Sequence, residues 1–379
     1  MRIAIEALGI RRPGGGRAAT LTLLKSLLLL DAQNDYLVYL EAPEPALAGL
    51  NPRARQRILP VHNRFLARVI LQALLPVEIR RRRVDLIHFV KNQVVPGTGA
   101  AARALATVYD LTTLRYPRAF PLVDVLYWRY LLPRQLRQMD RLIALSESTA
   151  SDLVAYYQLP REQIIVIPPG YDPFYRPAAP GQVLEARQRY GLPEGFFLHV
   201  GSLSSKKNLA MLLDAFLAFR RRSGFSGKLV LAGAKYPKGH DRKFARRLAQ
   251  TDAREAVVLT GHVPRELLVG LYGGALAFLF PSLHEGFGIA PLEAMACGAP
   301  VIVHAAGAVR EVVGDAGIVM ESASDSYSWS QAIETVTADP ALRARLRQAG
   351  LERAKLFTAE KTAHQTLQLY HHLSTTREI

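Results

Sequence analysis

A chain of 379 residues exceeds what one hydrophobic core usually organises, so two domains are expected. Apolar residues make up 49% and charged residues 21%, which excludes a disordered chain, and the single cysteine, Cys297, excludes an internal disulfide framework and suits a reducing compartment. The formal net charge of +16 favours anionic partners, whether nucleotide diphosphates, lipid phosphates or nucleic acid; residues 1–168 carry 23 Lys and Arg against 13 Asp and Glu, and the remainder 25 against 19.

Met1 to Leu8 reads as a first strand rather than a secretory leader. The longest early apolar run, Leu21 to Leu30, is interrupted by Lys25 and too short to span a bilayer, so a soluble or peripheral protein is expected. Apolar runs then alternate with helical patterns, as in parallel sheets with crossover helices. In the first part strands are predicted at Ile3–Ala7, Asp35–Leu40, Leu86–Phe89, Ala106–Tyr109, Arg141–Leu145 and Ile164–Ile167, with helices at 17–30 and 65–75. Arg80 to Arg83, after the second helix, is either a solvated turn or, with that helix, a basic amphipathic stretch for an anionic leaflet.

The run Pro168 to Gly181 holds five prolines and reads as a linker. Beyond it strands are predicted at Phe196–Val200, Lys228–Ala232, Val257–Thr260, Ala277–Phe280, Val301–Val303 and Ile318–Met320. The fold class is therefore α/β, with two doubly wound domains, 1–175 and 176–358, and a ligand crevice at the carboxyl ends of their strands. A last helix runs from Ala359 to Leu373. No Cys-x-x-Cys or His-Glu-x-x-His spacing argues for a metal, and no recognition motif or aromatic-interleaved basic patch argues for nucleic acid.

Four stretches carry the chemistry. Gly14-Gly15-Gly16-Arg17 follows the first strand and opens a helix; it is a phosphate-facing loop or a flexible turn. Tyr109 and Asp110 end a strand, Asp110 orienting a hydroxyl or serving the turn. In Val200-Gly201-Ser202-Leu203-Ser204-Ser205-Lys206-Lys207-Asn208-Leu209, two lysines at a strand-to-helix junction would meet a diphosphate beside a helix start, or be solvated there. Within Pro281 to Ile302, Glu285 and Glu293 flank Gly286-Phe287-Gly288 ahead of a short helix, the build of a site for a hydroxyl-rich anion unless both acids only serve the helix dipole.

The Glu285 to Glu293 segment resembles the Glu-x7-Glu signature of the family 4 retaining glycosyltransferases, and the lysine loop is similar to that family's Gly-x-Leu-x-x-(Arg/Lys)-Lys-Asn loop. Val108 to Pro117 resembles its His-Asp-Leu segment with Tyr109 in place of histidine, and many members carry an arginine where Ser202 stands. The resemblance implies a GT-B fold, two Rossmann-like domains facing each other across a deep cleft, with residues 359–379 packing back onto an acceptor-binding first domain. It implies that the second domain binds a nucleoside diphosphate sugar through Gly201, Ser202, Lys206, Lys207, Val263, Glu285, Gly286, Phe287, Gly288, Ile289 and Glu293, with Gly15 and Gly16 facing the donor phosphates from the first.

In this reading Glu293 holds the ribose hydroxyls, Glu285 positions the sugar, and Lys206 and Lys207 neutralise the leaving diphosphate, with Tyr109 and Asp110 beside the reacting centre. The expected activity is retaining transfer of a hexose, mannose or glucose, from a GDP- or UDP-hexose to a glycan or lipid-linked acceptor in envelope or exopolysaccharide synthesis. No cofactor or metal is called for. The expected location is the cytoplasm, with an anionic inner membrane face as a candidate partner. The alternatives are a GT-B epimerase or phosphorylase, and a basic, non-catalytic membrane- or nucleic-acid-binding protein.

Overall fold

The computed structural model describes residues 1–10, 14–59, 74–92, 94–95, 97–99, 101–233 and 242–375. Two compact units result, Met1–Gly170 with Phe357–Ile379, and Tyr171–Leu356.

The first unit is built on a seven-stranded sheet: β1 (Arg2–Glu6), β2 (Asp35–Leu40), β3 (Ala54–Ile58), β4 (Leu86–Phe89), β5 (Arg103–Val108), β6 (Arg141–Ala144) and β7 (Ile164–Val166), in the order β3-β2-β1-β4-β5-β6-β7. Every pairing is parallel. β1 past Arg2 and all of β4 are buried on both faces, mostly with apolar side chains, as central strands of a parallel sheet are. β3 has no counterpart among the predicted strands. Its sequence, Ala-Arg-Gln-Arg-Ile, lacks an apolar run because it lies at the sheet edge, where charged side chains reach water and discourage further pairing.

The helix Ala359–Thr375 lies against Gly15–Leu30 in this unit. A buried polar relay pins it: the Tyr370 hydroxyl is 2.6 Å from His88 Nδ1, and His88 Nε2 is 2.7 Å from Thr107 Oγ1. Burial holds the His88 imidazole neutral, at about 3, so the relay carries no charge. Residues 60–73, most of the predicted 65–75 helix, lie outside the described residues. Past them residues 74–81 are helical; Leu75 and Ile79 enter the core, and Arg82 pairs with Glu78.

The second unit carries β8 (Phe196–Val200), β9 (Lys228–Ala232), β10 (Val257–Gly261), β11 (Ala277–Phe280), β12 (Val301–His304) and β13 (Ile318–Met320), all parallel, in the order β10-β9-β8-β11-β12-β13. Its core is aromatic, with Phe197, Phe216, Phe219 and Trp329 buried together. Pro180 and Gly181, read as linker, instead form the first turn of the helix Pro180–Tyr190, because proline's fixed φ and missing N–H suit the first helical position.

Both sheets reverse their strand order once, between β1 and β4 and between β8 and β11. Loops leaving the carboxyl ends of strands at such a reversal diverge to opposite faces and open a crevice, where open α/β sheets take their ligands.

Candidate active site

In the second unit, the loop after β8 holds Gly201, Ser202, Lys206 and Lys207, and the loop after β11 holds Glu285 to Gly288. A backbone bond from Leu283 N to Lys206 O, 2.9 Å, ties the two loops together. Asn208 adopts φ 55° and donates Nδ2 to Ala323 O at 2.6 Å, which ends the Ser205–Lys207 turn and starts the helix Leu209–Ser223. Both lysines consequently point at one carboxylate. Lys207 Nζ lies 2.6 Å from Glu285 Oε1 and Lys206 Nζ 3.5 Å from Oε2, and Lys207 Nζ also sits 4.6 Å from the centre of the Phe280 ring.

Burial alone would push Glu285 up, but Lys206 and Lys207 beside it hold it at about 2. The group is a permanent carboxylate at neutral pH and cannot serve as a proton donor. Two cations thus converge on one anion among mostly buried side chains, a cluster of the kind that can receive an anionic ligand.

Ala308 N donates to Glu285 O at 3.1 Å and fixes that backbone. Phe287 is buried, and Gly288 at φ 104° caps the helix Ile289–Ala296, a conformation that a side chain would strain. Val263, just beyond β10, is buried.

Glu293 stands apart from the lysine cluster in its environment. It is 7% exposed on the Ile289–Ala296 helix, and Tyr272 donates its hydroxyl to Oε2 at 3.3 Å. Burial raises this carboxyl to about 8, with Tyr272 opposing and Asp172 adding to the rise. It is thus mainly a neutral acid at pH 7, able both to donate and to accept. Tyr272 is in turn packed edge-on by Tyr175, with ring centres 6.1 Å apart, and Arg265 lies 4.2 Å above the Phe174 ring.

The first unit gathers a separate set. Gly15 and Gly16 open the helix Gly15–Leu30, and one turn on, Thr20 Oγ1 lies 2.7 Å from the Tyr109 hydroxyl. Burial pushes that phenol to about 12, against the Thr20 bond, so it stays a neutral hydroxyl. Asn92 Oδ1 accepts from Tyr109 N at 3.0 Å. Asp110 Oδ1 accepts from Thr112 N at 2.9 Å, so one of its oxygens already serves the turn after β5.

The family models for "Glycosyl transferases group 1" and "Glycosyltransferase Family 4" match residues 184–353 and 13–174. The chain belongs to the family 4 glycosyltransferases. It is similar to the O-antigen chain mannosyltransferase B of Escherichia coli, 29% identical over 82% of this chain and 83% of that one. It is 31% identical to the D-inositol 3-phosphate glycosyltransferase of Arthrobacter sp. (strain FB24), over 62% of this chain and 57% of that one. The serotype-specific mannosyltransferase WbdA of Escherichia coli, 28% identical, is matched over 61% of this chain but only 28% of its own length.

Solved structures agree on the fold. The Anabaena HepE complex with UDP-glucose superposes with a TM-score of 0.78 at 19% identity, covering 98% of this chain and 100% of that one. The sucrose-phosphate synthase of Thermosynechococcus elongatus does so with 0.78 at 22% identity, covering 98% of each. This family 4 glycosyltransferase therefore has the GT-B fold, and neither an epimerase or phosphorylase nor a basic non-catalytic binding protein finds support among these relatives.

Several residues that shape the two sets carry no sequence signal. Tyr272 meets Glu293 from another helix, 21 positions earlier. Thr20 and Asn92 reach Tyr109 only through the tertiary fold. His199 was a missed cue: a histidine inside the apolar strand β8, it is buried, bonds Leu279 O through Nδ1 at 2.9 Å, and is kept neutral by burial, at about 4.

Because its folded pKa is depressed, Glu285 contributes stability that is present above the ordinary carboxylate range and lost as pH falls from about 4.5 through about 2. Carbon-13 NMR of the Glu285 carboxyl should show no titration between pH 5 and 9, and Lys207→Ala should move its midpoint upward. A midpoint unmoved by that substitution would mean the ion pair does not govern the site.

Proposed function

We propose that this glycosyltransferase transfers a hexose with retention from a nucleoside diphosphate sugar, bound by the second unit, to an acceptor hydroxyl of a cell-envelope or exopolysaccharide glycan. The observation that carries this reading is the convergence of Lys206 and Lys207 on Glu285 at the strand-order reversal, 3.5 and 2.6 Å away. A diphosphate entering there takes over both lysines as counter-ions, and their charge is then in place where the leaving group gains its own as the bond from the sugar C1 to the phosphate oxygen breaks. Glu285, always ionised, suits the positive charge that develops on the sugar ring. The acceptor oxygen joins C1 from the same face, and its proton passes to the departing phosphate oxygen. Glu293, neutral and buried, is assigned to the ribose hydroxyls.

Mannose is favoured by the mannosyltransferase relatives, and glucose from a UDP donor by the neighbour solved with UDP-glucose. Thermal unfolding with GDP-, UDP-, ADP- and dTDP-sugars separates them, since a ligand at 100 times its Kd adds roughly 2.7 kcal/mol. One nucleotide should raise Tm selectively and lose that effect in Lys207→Ala, whose kcat/KM should fall about 100-fold. Glu293→Ala should mainly raise the donor KM. No shift with any nucleotide would refute the donor site.

A cytoplasmic location with the first unit resting on an anionic membrane is part of this reading. No helix among the described residues is long and apolar enough to cross a membrane. The helical run 122–136 instead turns Tyr127 and Trp128 toward the core, while Leu122, Val123, Leu126, Tyr130 and Leu131 stand exposed with Arg118, Arg129 and Arg134. An apolar face rimmed by arginines matches an anionic lipid surface. Flotation with phosphatidylglycerol vesicles should capture the protein, and Leu122→Ser with Leu126→Ser should reduce capture about tenfold; equal capture by phosphatidylcholine vesicles would contradict the charge match.

A further inference from the structure

At the strand-order reversal of the first sheet, three ionisable side chains close on three consecutive residues. Glu6, the last residue of β1, accepts from Leu8 N through Oε1 at 2.9 Å. Lys91, just past β4, donates Nζ to Gly9 O at 2.6 Å. Arg17 donates Nη1 to Ile10 O at 2.7 Å and is itself held by Glu44 Oε2 at 2.9 Å. Gly9, at φ 81°, supplies the turn. Arg17 belongs to the helix that opens at Gly15 and carries Thr20 to Tyr109, so its bond to Ile10 O ties the turn directly to the start of that helix.

Glu6 is the unusual member. It is 1% exposed, and its Oε2 has no hydrogen-bond partner among the described residues. An apolar residue would satisfy the core there at lower cost, so a buried, half-used carboxyl needs a reason beyond packing. We propose that Glu6 is a positioning residue for sugar transfer, which with Lys91 and Arg17 clamps the Leu8–Ile10 turn and thereby sets the glycine run at the start of the first helix. This rests on the reading that the glycine run lines the transfer site.

The clamp has a pH signature. Burial pushes Glu6 up to about 8; the Leu8 N–H and Lys91 pull it down, and Glu41 adds to the rise. Neutral Glu6 fits its pocket, whereas ionised Glu6 leaves a bare charge on Oε2. The cost of burying the charge outweighs the gain at the Leu8 N–H and Lys91, so the stability of the buried placement is complete at low pH and is lost as pH rises from about 4.5 through about 8.

Hydrogen exchange of the Leu8, Gly9 and Ile10 amides, corrected for intrinsic rates, tests this without any substrate. Protection of these amides in the full chain should fall at least tenfold between pH 7 and 9, while Glu6→Gln, a neutral isostere, should hold protection level across that range. Release of nucleoside diphosphate to water, measured with the nucleotide sugar that shifts Tm most, should fall at least tenfold in Glu6→Leu and recover to at least half in Glu6→Gln at pH 7. The nucleotide-induced Tm shift should be the same in all three, which separates Glu6 from the other carboxyl near 8, Glu293. If Glu6→Leu fails to fold, Glu6→Gln alone decides through its level exchange profile. Protection that ignores pH in the wild type, or a Glu6→Gln variant with the same alkaline loss, overturns the proposal; a wild type that binds no nucleotide refutes the donor reading and leaves the exchange result standing.

Discussion

The triad of Lys206, Lys207 and Glu285 is the constraint on which the second unit's architecture turns. Bringing two ammonium groups to the end of a sheet, mostly out of water, is unfavourable without a counter-ion, and one carboxylate at 2.6 and 3.5 Å supplies it. The carboxylate fixes both lysines in place, the kind of preorganisation that an anionic ligand would need there. The cost is carried by the fold around it: the bond between the two loops, the left-handed Asn208 and the glycine cap at Gly288 fix the backbones so that side-chain entropy is the main thing left to lose.

The two sheets use the same topological position for different physics. In the second, the reversal between β8 and β11 brings two lysines onto one carboxylate, all three mostly out of water. In the first, the reversal between β1 and β4 gathers Glu6, Lys91 and Arg17 onto backbone groups of Leu8, Gly9 and Ile10, with Arg17 also paired to Glu44. The first set fixes a turn of the backbone, whereas the second joins side chain to side chain across two loops.

What the sequence disclosed follows the range over which each signal acts. Strand positions in both sheets were legible because buried parallel strands are short apolar runs, and β2, β4, β8, β9, β11 and β13 lie where the pattern put them. β3 was not, since an edge strand of Ala-Arg-Gln-Arg-Ile owes its state to its neighbour β2 and not to its own composition. Lys207 and Glu285 were each legible from a motif of their own, but their pairing comes from the fold, which brings together residues 78 positions apart. Tyr272 against Glu293 and Glu6 beneath Leu8 were hidden, because nothing in the local pattern tells a tyrosine or glutamate that it will be buried with a half-satisfied partner.

Glu285 and Glu293 show how far environment overrides identity. Eight residues apart in one signature, they differ by about six units in proton affinity, one near 2 and the other near 8. Both are buried, and burial pushes both upward; two lysines reverse the effect at Glu285, whereas at Glu293 a single tyrosine hydroxyl opposes it and Asp172 reinforces it. A carboxylate that never protonates can stabilise positive charge but cannot bridge a pair of hydroxyls by donating to one of them. A carboxylic acid that is neutral at pH 7 can do the second and contributes little to the first. Exchanging the two environments would exchange the protonation states, so within the signature it is the lysine loop, contributed some eighty residues earlier in the chain, that sets the two glutamates apart.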